Sequence, residues 1–144
     1  SKMADWLFTY GTLQFPEVLQ AVSGLISSGR EAKAYGYSQY QMVDKLYPGM
    51  IADSEGVTAG QVYAGVDHVA WGLLDRFEDP IYQRQEVEVH LSDGPSVIAH
   101  AYVVPVRYAH LLSREPWISS WFAAHYLEDY VSRCRWFYHM ITLT

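Results

Sequence analysis

The 144-residue sequence contains a single cysteine, Cys134, so no disulfide can form within the chain. A lone cysteine fits a reducing compartment, and no charged segment followed by an apolar one indicates a signal peptide. We therefore expect a cytoplasmic protein. A reactive thiol needs an electropositive setting, whereas Cys134 stands among aromatic residues, so we interpret it as a buried, inert thiol.

Basic residues are also scarce, with 10 Lys and Arg against 16 Asp and Glu and a net charge of -6. Nucleic acids select clusters of Lys and Arg, and the sequence has none, so we expect no nucleic-acid partner. The apolar stretch VIAHAYVVPV is broken by His100 and Pro105 and is shorter than the roughly 20 residues of a membrane span. We therefore expect no membrane partner either.

Common cofactor and catalytic motifs are missing as well. The sequence has no GxGxxG, no P-loop and no GxSxG. Its 6 His are scattered, with no HExxH and no paired cysteines, so we predict no metal site and no cofactor. We interpret His68 and His125 as surface or edge residues.

Apolar and aromatic residues, in contrast, are abundant. Half of the residues are apolar, and 12 Tyr and 5 Trp are among them, which fits a domain with a substantial core. Tyr and Trp also suit pocket walls and interfaces. No repeat or linker divides the chain. We predict a single domain over residues 3–144, with Ser1 and Lys2 as a tag remnant before Met3.

The hydrophobic pattern changes period along the chain. WLFTY predicts a buried strand, and PEVLQAVSG predicts a helix that begins at Pro16 and ends at Gly24. Further strands are predicted in EAKAYGYSQYQMV, with an irregularity at Gly36, in MIAD after a Pro-Gly turn, and in TAGQVYAGV. DHVAWGLLDRF has helical spacing with Asp67 as its N-cap.

The second half of the chain continues with strands and ends in helix. YQRQEVEVHL alternates, and the turn SDGPS predicts that VIAHAYVV pairs with it antiparallel. The last third, from WISSW to FYHM, predicts one long helix. The fold class is therefore α+β, a mixed and largely antiparallel sheet with helices inserted and appended.

Two short segments have the residues for chemistry. In YGTL, Gly11 makes either a plain turn between strand and helix or an anion cradle built from the N–H groups of Gly11, Thr12 and Leu13. Glu78 ends a short helix just before Asp79, and both the helix dipole and that neighbour raise a carboxyl pKa, as a general acid/base requires. The alternative is an ordinary solvated residue at a helix end.

These segments together carry a resemblance. FTYGTLQFPEV, YPGM, GQVYAGV and LLDRFEDPIYQRQEVEV, in this order, resemble the gamma-glutamylcyclotransferase-like family, above all its plant avirulence-induced-gene-like and gamma-glutamylamine cyclotransferase branch. The resemblance covers most of the chain, including EPWISSWFAAHYLEDYV. It implies a small mixed barrel with flanking helices. It also implies release of an amine while the glutamyl group cyclises to 5-oxoproline.

The resemblance assigns roles to particular residues. The backbone amides of Tyr10, Gly11, Thr12 and Leu13 would bind the glutamyl group, and Glu78 would be the catalytic residue. The sequence departs from the family at two positions. Many members have glycine where Asp79 stands, and the glutathione-acting branch has asparagine where Leu13 stands.

The residues after Glu78 leave several alternatives open. Tyr82 either hydrogen-bonds Glu78 or the substrate, or packs at the start of a strand, whereas Arg84 pairs with a surface carboxylate. The segment Tyr47-Pro48-Gly49 and the aromatic C-terminal helix either line a pocket or only fill the core. Besides an enzyme, the sequence allows a non-catalytic binding module, which Asp79 keeps open, or an interaction protein that uses the C-terminal helix.

Overall fold

The computed structural model of the protein describes residues 5–143. Ser1, Lys2 and Met3, and with them the expected tag remnant and domain start, lie outside the described residues. The five strands form a closed barrel in the order β1-β3-β2-β4-β5. They are β1 (Asp5–Thr9), β2 (Arg30–Gln41), β3 (Pro48–Val66), β4 (Gln83–Leu91) and β5 (Ser96–Val103).

Most neighbouring strands in the barrel are antiparallel, including the predicted β4–β5 pair. Two short parallel contacts close the barrel, where Leu7 of β1 meets His100 and Met50 of β3 meets Val103. The mixed, largely antiparallel α+β prediction is therefore confirmed. Closure leaves few strand edges unpaired.

β3 is one strand of 19 residues, so the prediction of two strands after a Pro-Gly turn is wrong. The chain turns earlier, over residues 43–47, where Asp44 has a left-handed backbone with φ 60°. Pro48 opens the strand instead. Pairing with β2 shifts register between Tyr35 and Tyr37, around the predicted irregularity at Gly36 (φ 89°), and then continues.

Two helices lie between the strands, and their ends agree with the sequence. α1 (Pro16–Ser23) ends at Gly24, whose φ of 75° is the left-handed conformation that glycine adopts readily. α2 (His68–Phe77) begins after Asp67, whose carboxylate accepts the Ala70 N–H at 2.9 Å. The N-cap and C-cap residues therefore determine where these helices begin and end.

The C-terminal segment forms two helices, α3 (Ser119–His125) and α4 (Leu127–Thr142), rather than the single helix predicted. The break is at Tyr126, whose φ of -132° is not helical. Phe122 and Val131 are both buried, although nine residues of continuous helix would place them about 180° apart. The break lets both side chains face the core.

The core has two parts, one inside the barrel and one between the barrel and the helices. Cys134 lies in the second part, where burial raises the pKa of its thiol to about 12, as expected of an inert cysteine. His68 and His125 are exposed, as predicted. Among the helices of residues 5–143, none is both long enough and apolar enough to cross a bilayer.

Candidate functional site

The glycine loop joins β1 to α1 through a 3-10 helix, Thr12–Gln14, for which Gly11 is the N-cap. The first N–H groups of a helix have no partner within it. Between residues 5 and 143, no backbone hydrogen bond of the loop has the N–H of Gly11, Thr12 or Leu13 as its donor. The loop therefore presents unpaired donors of the kind that bind an anion.

Gly11 allows the loop and β3 to approach each other closely. A Cβ at this position would lie 2.8 Å from Cδ of Pro48. The neighbouring Tyr10 is buried in the barrel, where its hydroxyl donates to the Tyr102 carbonyl at 2.6 Å and accepts the Met50 N–H at 3.0 Å. These contacts fasten the loop to β3 and β5.

Glu78 is the C-cap of α2, and its own N–H donates to the Leu74 carbonyl at 3.0 Å. Its side chain is partly buried and lines a cavity, so Glu78 is not a fully solvated residue at a helix end. Burial raises the pKa of Glu78 to about 8, and the charges of Asp79 and Asp75 add to the shift. The sequence predicted the upward shift of this pKa and the contribution of Asp79, but not burial, which is its largest cause.

The loop and Glu78 line one cavity of about 440 Å³. It contains all the site residues named from the sequence, which are Tyr10, Gly11, Thr12, Leu13, Glu78 and Tyr82. No hydrogen bond within residues 5–143 uses the Glu78 carboxylate. The same cavity is thus lined by N–H donors that suit an anion and by a free carboxyl group with a raised pKa.

Tyr82 lines this cavity, but the suggested hydrogen bond to Glu78 is absent. Its hydroxyl donates to the Pro48 carbonyl instead, which ties the segment before β4 to the start of β3. Arg84 pairs with Asp75 through Nε at 2.9 Å and lies over the Trp71 ring at 4.4 Å. Arg84 therefore has the structural role predicted for it.

Asp79, the departure from the family pattern, has defined partners. Its Oδ2 accepts the Tyr47 hydroxyl at 2.7 Å, and its Oδ1 accepts the Ile81 N–H at 3.1 Å. Tyr47 and Pro48 line the cavity, one of the two uses suggested for their segment. Asp79 thus adds a second carboxylate beside Glu78.

Two tyrosines of the cavity wall were not singled out from the sequence. Tyr102 of β5 donates its hydroxyl to Asp75 at 2.7 Å, and Tyr130 of α4 contacts Thr12. The aromatic character of the C-terminal segment was the only sequence signal for Tyr130. Within residues 5–143, no group of three His, Cys, Asp or Glu side chains is placed to hold a metal ion.

Known proteins are similar to this chain in sequence. A family model described as "Gamma-glutamyl cyclotransferase, AIG2-like" matches residues 7–119. AIG2-like protein C of Arabidopsis thaliana is 35% identical over 92 residues, which cover 64% of this chain and 54% of that protein. AIG2-like protein D of the same plant is 28% identical over 88 residues, or 61% and 58% of the two chains. The chain thus spans little more than half the length of these curated relatives.

Solved structures show the same fold. A solution structure from Arabidopsis thaliana has a TM-score of 0.72 at 24% identity and covers 94% of this chain and 82% of that one. A mouse AIG2-like protein has a TM-score of 0.61 at 25% identity, with coverage of 81% and 86%. A yeast gamma-glutamyl cyclotransferase specific to glutathione has a TM-score of 0.61 at 14% identity, with coverage of 96% and 97%. With the family match over residues 7–119, these likenesses identify the chain as a member of the gamma-glutamyl cyclotransferase, AIG2-like family.

Proposed function

We propose that the protein is a metal-independent enzyme that cyclises a gamma-glutamyl amine or peptide to 5-oxoproline and releases the amine. One observation carries this proposal. The unpaired N–H groups of the glycine loop and the free carboxyl group of Glu78 line the same cavity of about 440 Å³. A cavity of this size suits a small molecule.

The cavity walls complement the two charges of a glutamyl group. In a gamma-glutamyl compound the alpha-carboxylate is negative, and the alpha-ammonium beside it is positive. The N–H groups of Gly11–Leu13 suit the carboxylate, whereas Glu78 and Asp79 suit the ammonium. A substrate bound in this way has its reacting amine next to Glu78.

The reaction needs one residue to move protons. Glu78 takes a proton from the alpha-ammonium, and the amine attacks the gamma-carbonyl to form the new C–N bond of a five-membered ring. Glu78 then gives this proton to the leaving nitrogen as the original amide bond breaks. The second proton that the attacking nitrogen loses passes through Glu78 to the released amine, which leaves as an ammonium ion. A pKa of about 8 suits both transfers near neutral pH. Because the attack is intramolecular, positioning of the substrate removes much of the barrier.

Replacement of Glu78 by glutamine tests the proposal. Glu78→Gln keeps the shape of the side chain but cannot take up the proton, so we expect release of 5-oxoproline to fall by about 10²–10⁴-fold. The measurement is a 5-oxoproline assay with gamma-glutamyl amines, gamma-glutamyl amino acids and glutathione.

Glu88→Gln is the matched control, because Glu88 is exposed on β4 away from the cavity. We expect this control to keep wild-type rates. Equal release of product by wild type and Glu78→Gln would contradict the role of Glu78.

A binding module without catalysis is the second candidate, and Asp79 is the observation that favours it. Its carboxylate, held by the Tyr47 hydroxyl at 2.7 Å, places a further negative charge beside Glu78. If wild type binds one of the compounds and releases no 5-oxoproline from any, this second function replaces the first.

A further inference from the structure

The hydroxyl groups around Glu78 are almost all committed to other protein atoms. Five tyrosines line the cavity: Tyr10, Tyr47, Tyr82, Tyr102 and Tyr130. The first four donate their protons to acceptors in the protein, respectively the Tyr102 carbonyl, Asp79, the Pro48 carbonyl and Asp75. A committed hydroxyl has no proton left for a ligand.

Tyr130 differs from the other four. Its hydroxyl is bonded to Oγ1 of Thr12 at 3.4 Å, and the part of the chain that the structure describes offers it no further partner. Two hydroxyls joined by one hydrogen bond use one of their two protons, so the pair retains one donor. Since Thr12 donates to Tyr130, the retained proton is that of Tyr130.

The ring of Tyr130 is held in place by aromatic contacts. It meets Phe122 edge to face at 5.3 Å and Phe77 edge to face at 6.5 Å, measured between ring centroids. Phe77 immediately precedes Glu78, and Thr12 belongs to the glycine loop. Tyr130 therefore has a fixed position between the glycine loop and the segment that carries Glu78.

We propose that the Tyr130 hydroxyl binds the alpha-carboxylate of the glutamyl group together with the N–H groups of the glycine loop. This assignment rests on the proposed function, and it makes the C-terminal helix part of the substrate site. Tyr130 lies beyond residues 7–119, so the family match does not include it. Burial raises the pKa of Tyr130, which keeps the hydroxyl protonated and able to donate.

Removal of the hydroxyl alone tests the assignment. Tyr130→Phe keeps the ring and its contacts, and Tyr138→Phe on the same helix is the matched control, since Tyr138 does not line this cavity. We use L-gamma-glutamyl-ethylamide and glutathione as probes. Kd is measured by calorimetry in the Glu78→Gln background, where turnover does not interfere. Thermal unfolding of each variant verifies the fold.

We expect Tyr130→Phe to raise the Kd of both probes by the same factor, about tenfold, because both carry the glutamyl carboxylate. Tyr138→Phe should leave both Kd values unchanged. In the active enzyme, Tyr130→Phe should raise KM by a similar factor and change kcat far less.

Unchanged Kd values, or weakening of only one probe, would overturn the assignment of Tyr130 while the proposed function stands. If wild type releases no 5-oxoproline and Tyr130→Phe still weakens both probes equally, the proposed function fails and the assignment holds. If neither probe binds to wild type or to Glu78→Gln, the proposed function and the assignment of Tyr130 are both overturned.

Discussion

The two walls of the cavity bind charge by different means. The loop wall, formed by Gly11, Thr12 and Leu13, offers backbone N–H groups and no charged side chain. The acid wall offers the carboxyl groups of Glu78 and Asp79. The loop wall therefore depends on backbone position, whereas the acid wall depends on side-chain identity and on its proton. Substitutions should affect the two walls in correspondingly different ways.

The largest effect on the loop wall should come from a side chain at Gly11. In Gly11→Val the new Cβ would lie 2.8 Å from Pro48, so the loop or β3 must move and the N–H groups lose their positions. Since small displacements of positioning groups are costly, we expect KM to rise by about 100-fold in the 5-oxoproline assay.

Gly72→Ala is the control, because a Cβ at this helical position meets nothing within 4 Å. It should leave KM unchanged and raise the free energy of unfolding by up to about 1 kcal/mol. A large loss of thermal stability in Gly11→Val with unchanged KM would instead show that the glycine only makes a turn.

The acid wall should make stability depend on pH. The pKa of Glu78 is raised from 4.5 to about 8 in the folded protein, so its contribution to stability is complete below pH 4.5 and declines as pH rises to about 8. Glu78→Gln lacks this titration. The free energy of unfolding of the variant, measured in urea, should therefore rise relative to that of wild type by a few kcal/mol across this pH window. Each pKa unit corresponds to about 1.4 kcal/mol.

Above about pH 8 the difference between variant and wild type should stay constant. A difference that is the same at pH 5 and pH 9 would show that the pKa of Glu78 is not raised in the folded protein.

The smallest effect should come from Asp79, which adds to the pKa shift of Glu78 but is not its main cause. Asp79→Asn removes the charge and keeps an oxygen acceptor for Tyr47. Loss of this charge should lower the pKa of Glu78, so the rise of kcat/KM with pH on the acidic side should move to lower pH. The maximal kcat/KM should change by less than about threefold. Asp129→Asn, exposed on α4, is the control. An unmoved rise would contradict a charge effect of Asp79 on Glu78.

Local signals in the sequence predicted the parts of the fold that depend on local chemistry. Pro16, Gly24 and Asp67 mark helix ends because caps act within a few residues. The break at Tyr126 is different, since it depends on which core surfaces Phe122 and Val131 reach. No pattern within the helix itself shows this.

The candidate site was predictable to a similar degree. YGTL and Glu78 were recognisable as segments, and the structure places them on one cavity. The pairing of Tyr82 with Pro48, and the burial that dominates the pKa of Glu78, arise from residues distant in sequence. Such contacts exist only after the barrel closes.

The first residues of β3 have a consequence for how a ligand stabilises the protein. Pro48 leaves no room for a Cβ at Gly11, and its carbonyl accepts the Tyr82 hydroxyl. The Met50 N–H donates to the Tyr10 hydroxyl, and Met50 pairs with β5. The cavity is thus complete only when strands distant in the chain have all joined. A ligand that binds only this closed form raises the free energy of opening for the whole barrel, not for the glycine loop alone. Slower hydrogen exchange on binding would extend to strands that the ligand never touches.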